Sequence, residues 1–435
     1  MISGDLPNTN PRVTPSPSLA TKRRGGYSLA VPMQDQPPDR LPWGLVTSLS
    51  LAQLVSWGTI FYAFTLFIDP MTRELGWSKP ELAAAYSLGL VASGLGAIPV
   101  GRLIDLGYGR AVMTGGSVLA AALFLVWSRV ETYPAFLALW MGLGLAMSAV
   151  LYDPAFAVLT RRAGPHSRRA ITAMTLVGGL ASTVFIPLTH VLIETFGWRA
   201  ALIVLAGINL VVCAAIHASA IPSERHLDDA RFPPRAGATT PSAARRVLGS
   251  IAFWGFMATA VLHGALFTGF SVHLIPLLVE RGFDLGVAVA AFALIGPAQV
   301  AARIVIALSE RRLTMRSIGL ITIALPVAAF ALLALVRPGS GLVVVFAVLY
   351  GAANGMMTVV RAVLPIEIFG RTDYGAIQGM LAAPATLARA AGPLLFGIVW
   401  GWSGGYGAVI ALGIALAVAA LISFAATVYT ATTDA

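Results

Sequence analysis

At 435 residues, 57% of them hydrophobic and 11% charged, with a mean hydropathy of +0.81, the chain is too apolar for a soluble protein of its size. Its net charge of +10 does not point to nucleic acid, because the basic residues fall in short joints between apolar runs, where they act as topology signals. The single cysteine, Cys213, excludes an intrachain disulfide and a cysteine-cluster metal site, and no cofactor is expected.

Residues 1–40 hold seven prolines and the Lys22-Arg23-Arg24 cluster with no apolar run. They read as a disordered cytoplasmic tail and not as a signal peptide, which needs a hydrophobic region after its basic start. From Trp43 onward come twelve apolar segments, each long enough as a helix to cross a ~30 Å hydrocarbon layer. Their approximate bounds are 43–70, 80–101, 111–128, 134–160, 170–193, 199–219, 249–278, 285–308, 318–336, 341–368, 376–400 and 407–429. One long interruption, 221–248, carries Pro222, Pro233, Pro234 and Pro241 with mixed charges and reads as a cytoplasmic linker.

The two sides of that linker are an internal repeat at an offset of 206 residues. Gly58 matches Gly264, Pro70 matches Pro276, Gly76 matches Gly282, Met174 matches Met380 and Pro187 matches Pro393. The expected fold is therefore an all-α membrane protein of twelve transmembrane helices in two pseudo-symmetric six-helix bundles, 41–220 and 249–430. With both termini placed inside, fifteen arginines from Arg102 to Arg371 lie in internal joints. The external joints hold six basic residues, Arg73, Lys79, Arg129, Arg199, Arg281 and Arg337, so the positive-inside rule puts both termini in the cytoplasm.

The joint Gly101 to Arg110 reads Gly-Arg-Leu-Ile-Asp-Leu-Gly-Tyr-Gly-Arg. A link this short turns the chain back on one side of the membrane, with Gly107 and Gly109 free to take the positive φ of a tight reversal. Asp105 has two options: to pair with Arg110, or to accept hydrogen bonds from the amino-terminal end of a neighbouring helix, where the helix dipole favours an anion. The joint resembles the signature loop between the second and third helices of the major facilitator superfamily. Gly101, Leu103, Asp105 and Arg110 match its pattern, while Leu106 stands where a basic residue is usual. The resemblance implies a secondary transporter of the bacterial inner membrane, working by alternating access, with Gly101, Asp105 and Arg110 in the inner gate and substrate bound between the halves. The stretch Phe369-Gly370-Arg371-Thr372-Asp373-Tyr374-Gly375-Ala376-Ile377-Gln378-Gly379 is similar to a loop of the monocarboxylate and oxalate-formate branch.

Three basic residues lie inside spans, Arg303, Arg361 and Arg389. A charge at the centre of a lone membrane helix costs ~2.5–3.5 kcal/mol, so each needs a partner or a cavity. Arg303, near a helix end, is expected to snorkel. Arg389 lies about 13 residues, or ~20 Å, into its helix. Its planar fork suits a carboxylate, and the branch just named is known for basic residues on this helix that hold anions; the other reading has Arg389 bonding nearby backbone carbonyls. Tyr350, Asn354, Met357 and Arg361 recur at helical spacing as one stripe. Asp153, at matching depth in the first half, pairs either with Arg361 across the halves or within its own half. Asp153 and His263 are the candidates for a coupled proton. Trp57, Phe61, Tyr62, Phe64, Phe267 and Phe270 supply aromatic surface from the two repeat-related helices. Asp69, beside Pro70, is expected to cap the outer end of the first helix.

The substrate-binding set is thus Arg389, Arg361, Asn354, Tyr350, Trp57 and Tyr62. The expected partners are a small-molecule substrate, a coupled proton or counter-substrate, and the lipid bilayer, for a chain acting as a monomer. A small organic anion is the first reading of the substrate; a neutral heterocycle, vitamin or drug-like compound is the second; a non-transporting sensor of the same fold is the third. No His-Glu-x-x-His or paired catalytic acids occur in any span, so an enzyme is not expected.

Overall fold

The computed structural model describes residues 41–223, 243–309 and 312–433. The expected tail, 1–40, and most of the linker, 221–248, lie outside the described residues; the linker's described end forms the short helix Ala243–Val247. The described chain is all helix, with no strand among the described residues.

Ten helical stretches among the described residues are long and apolar enough to cross a membrane. Two of them are not single straight rods. Lys79–Trp127 is interrupted at Gly107, whose φ of 88° a side chain would resist. Tyr133–Phe196 is interrupted at Leu151, with ψ −160°, and at Gly164, with φ 50°. The Lys79–Leu103 helix starts on a capping box: Ser78 Oγ accepts from the Glu81 amide, and Glu81 returns the bond to the Ser78 amide at 2.8 Å.

The helix bounds keep the 206-residue offset. Lys79–Leu103 maps onto Leu285–Ser309 at both ends, and Gly109, which opens one helix, maps onto Met315, which opens another. Three cores hold the bundle. One is drawn from residues 55–213, around Phe64, Trp127 and Trp140, and one from 266–417, around Phe270, Phe330 and Tyr350. The third mixes residues of both halves, including Phe156, Ile171, Met357 and Ile377. Large apolar side chains such as Val211, Val305 and Leu308 are left exposed on the outside, as lipid contact permits.

The first stretch departs from α geometry in one place. Trp57–Tyr62 is a π-turn, closed by the Ala63 amide on the Gly58 carbonyl, five residues back. Gly58 makes this possible: a Cβ there would collide with the Phe185 ring. The repeat-related stretch, Ile251–Glu280, is α-helical throughout.

Candidate functional site

The Gly101 to Arg110 joint lies against the start of the Tyr374–Ser403 helix. Asp105 Oδ1 accepts from the Gly375 amide at 2.9 Å and Oδ2 from the Ala376 amide at 2.6 Å. A carboxylate on the first amides of a helix neutralises orphan donors and meets the positive end of the dipole, worth ~0.3–1 kcal/mol and up to ~2 when partly buried. Asp105 has therefore taken the second of its two options. Arg110 is exposed and forms no ion pair with Asp105 among the described residues, because both carboxylate oxygens already face the amides of a different helix. Of the two turn glycines, Gly107 has positive φ while Gly109, at φ −52°, is helical. Arg161 Nη1 braces the joint by donating to the Asp105 carbonyl at 2.5 Å.

Two bare backbones meet beneath this latch. A Cβ on Gly101 would strike the Gly375 carbonyl, one on Gly375 the Gly101 carbonyl, and one on Gly379 the Ala97 carbonyl. Beside them Asp153 and Arg361 form an ion pair across the halves at 3.4 Å, and Gln378 Nε2 donates to the same carboxylate oxygen at 3.2 Å. A small cavity lines this seam, bounded by Ala97, Gly101, Ser148, Asp153, Gln378 and Gly379.

Arg303 does not snorkel. It is 5% exposed and donates to the Thr175 carbonyl of the first half, to the Gly355 carbonyl and to Thr358 Oγ1. Desolvated carbonyls close to its helix satisfy the guanidinium better than a reach to the interface would. Arg168 likewise crosses between halves to the Leu313 carbonyl at 3.2 Å. The hydrogen bonds and ion pair just described between the halves all fall at this joint end. The protein is closed there.

Away from the joint end the halves present different chemistry. Arg389 is half-buried. Its stem passes Gly264, its Nη2 donates to Thr386 Oγ1 at 2.8 Å, and its own carbonyl accepts from Thr268 Oγ1. Among the described residues it bonds a side-chain hydroxyl and no backbone carbonyl, leaving most of its five donors for another acceptor. It is in electrostatic reach of Arg361, Asp153 and Tyr86. His263 is 6% exposed, and its Nε2 has no hydrogen-bond partner among the described residues. Asn354, half-buried, donates to Gln299 Oε1 at 3.1 Å. From the first half come Trp57, Phe61, Tyr62 and Tyr86, all half-buried. Trp57 Nε1, a buried donor, also has no partner among the described residues; such a group costs ~1–3 kcal/mol until something accepts from it.

One expected site residue is elsewhere. Tyr350 is 1% exposed and donates to the Phe267 carbonyl at 2.6 Å, packed among Phe270, Phe330 and Phe346. Its stripe points partly into the core: Tyr350 and Met357 are buried, whereas Asn354 and Arg361 are half-buried. Asp69 pairs with Lys79 at 2.8 Å and is exposed, so it ties two segments instead of capping a helix.

The sequence model of the Major Facilitator Superfamily matches residues 49–342, well over half the chain. The chain belongs to the Major Facilitator Superfamily. Among curated relatives, this superfamily member is 30% identical over 293 residues to human monocarboxylate transporter 11, a match covering 60% of the chain and 56% of the relative. It is 29% identical over 196 residues to bovine monocarboxylate transporter 13, covering 42% of the chain and 43% of that relative. The matches thus span about half the length of the curated relatives. Among solved structures, the human organic anion transporter MFSD10 (TETRAN) superposes with a TM-score of 0.67 at 19% identity, covering 90% of the chain and all of that protein. The transporter FucP in its outward conformation superposes with a TM-score of 0.69 at 15% identity, covering 89% of the chain and 98% of that protein. At these identities the structures show the shared fold, and the relatives are transporters, not enzymes.

Sequence reasoning did not single out Gln378 or Gln299, nor Tyr86 on the wall of the cleft. Gln378 sits four residues after the Tyr374 that opens its helix, and only knowledge of which helix faces Asp153 selects it.

Proposed function

We propose that this superfamily member is a secondary transporter of a small organic anion, a carboxylate, working by alternating access. The observation that carries this reading is the charge balance of the interior: Arg303, Arg361 and Arg389 are set against Asp153, and Arg389 keeps free donors at the cleft. An anion delivered to Arg389 meets a positive wall that the protein itself leaves uncompensated. The named activities of the relatives, monocarboxylate and organic anion transport, support the same class.

In this reading the breaks at Gly107 and Gly164 divide the ten stretches into twelve crossings, arranged as six-helix bundles at 41–220 and 249–430 joined by 221–248. Both termini lie in the cytoplasm of a bacterium, in the inner membrane, as the arginine distribution supports. The joint end is then cytoplasmic and the arrangement faces outward, latched by Gly101 and Asp105, with Arg110 beside the latch. Asp153, through its pair with Arg361, and His263, next to the Gly264 against which the Arg389 stem lies, are the proposed candidates for a coupled proton.

The test is uptake into proteoliposomes of labelled monocarboxylates, dicarboxylates and neutral heterocycles, with wild type beside Arg389→Gln. A carboxylate is expected to move, and the folded variant to lose it. Transport of neutral compounds alone, or normal carboxylate uptake by the variant, overturns the reading.

A further inference from the structure

The superfamily and its relatives say nothing of which carboxylates this chain selects. Four rings on the first half bear on that. Trp57 and Phe61 lie 4.9 Å apart, Phe61 and Tyr62 5.3 Å, Phe61 and Tyr86 5.9 Å, so they form one continuous patch. The π-turn makes the patch. In an α-helix Tyr62, five residues after Trp57, would point about 140° away from it. The wider turn, closed from Ala63 to Gly58, brings both to the same side, with ring centroids 6.2 Å apart.

Core packing accounts for only part of these rings: Tyr86 stacks on Phe64 at 4.8 Å, and Trp57 and Phe61 also pack against the cores, yet none of the four is buried. Phe64, Phe67, Trp127 and Trp140 are the packing aromatics of this half, and all are at most 4% exposed. Trp57, Phe61, Tyr62 and Tyr86 are only half-buried. Nor do they face lipid. Trp57 packs at 4.9 Å on Tyr152, the neighbour of Asp153, and the helix that carries Tyr86 lies, at Gly94, against Ala383, Thr386 and Leu387 of the second-half helix that carries Arg389. The rings therefore lie on the side of the first half where the Arg389 helix packs, and Trp57 Nε1 has no partner among the described residues.

We infer that the substrate is an aryl-substituted carboxylate, its carboxylate held by Arg389 and its ring seated on the Trp57, Phe61, Tyr62 and Tyr86 patch. This rests on the carboxylate reading above. Aromatic rings prefer edge-to-face and offset contact with other rings to contact with saturated carbon. A planar ring slides over such a patch where a puckered one of equal charge and similar size does not.

The test is binding to the purified full-length protein by calorimetry, paired with uptake, using benzoate, cyclohexanecarboxylate and benzyl alcohol. Benzoate is expected to bind ~3- to 10-fold tighter than cyclohexanecarboxylate. Trp57→Leu and Phe61→Leu are each expected to abolish that preference by weakening benzoate alone, while Trp57→Phe keeps most of it. Equal binding of the two acids, or equal weakening of both in the leucine variants, overturns the inference and leaves the carboxylate reading in place. Binding of neither acid, with or without benzyl alcohol, overturns both.

Discussion

Trp57 and His263 occupy the same place in the two repeats, 206 residues apart, on helical stretches, Trp43–Leu75 and Ile251–Glu280, whose bounds fall within two residues of that offset. On one the chain makes a π-turn and gathers rings; on the other it runs on as α-helix, and the neighbouring positions carry Thr268, Asn354 and Arg389. The same duplication thus gives an apolar, aromatic wall and a polar, cationic one. A symmetric scaffold can bind an asymmetric solute when the two copies diverge at the cleft and not in the cores. The seam shows the same divergence: Gly101 lies against the Gly375 backbone of the other half, while its repeat partner, Ala307, is exposed.

The sharpest way to break this comparison is to move the cation. Arg389→Gln is expected to reduce carboxylate uptake ~10- to 100-fold, the loss of charge-assisted hydrogen bonds. Thr183→Arg, at the repeat-related position, is not expected to restore it; recovery in the double variant would mean that the walls are interchangeable. Next is the seam. Gly101→Val drives a side chain into the Gly375 carbonyl, and overpacking costs ~1–3 kcal/mol, all of it falling on the closed joint end. A cysteine introduced at Ser148 is then expected to become thiol-reactive from the joint side, against the low background of the buried Cys213. Ala307→Val, on exposed surface, is expected to change nothing. Smaller still is Asp105→Asn, which keeps an acceptor but removes the charge from the helix start, a loss of ~0.3–2 kcal/mol. The same thiol assay is expected to show a several-fold rise, well below that of Gly101→Val. Last is Asp69→Asn: its pair with Lys79 is exposed, and no change in melting temperature is expected.

Helicity, membrane character and family were all legible in the residues, because apolar runs and the Gly101 to Arg110 pattern are local features. So was the repeat offset, which the helix bounds keep. Partners were not. Asp105 left two options open because the deciding amides, Gly375 and Ala376, lie some 270 residues away. Tyr350 was misread because a helical stripe fixes which residues share a face and not what that face meets. Arg303 was taken for a snorkelling residue on depth alone, when three acceptors from two other helices surround it. The rings Trp57, Phe61 and Tyr62 were legible as aromatic surface, but Tyr86 and the way they are gathered were not. A period of 3.6 places Trp57 and Tyr62 apart, and nothing in their sequence announces a wider turn.

That turn is a difference in winding and not in length. The repeat offset is the same at its start, Gly58, and after it, at Pro70, so no residue has been added to make it. A segment wound this way can rewind to α by passing amide bonds from the fifth carbonyl back to the fourth, which would swing Trp57 and Tyr62 apart and rotate everything up to Leu75. The ring patch is therefore assembled by main-chain hydrogen bonds alone, like a ratchet tooth cut into the helix. Deuterium exchange at the Ala63 amide, compared with and without benzoate, reads whether the tooth is set.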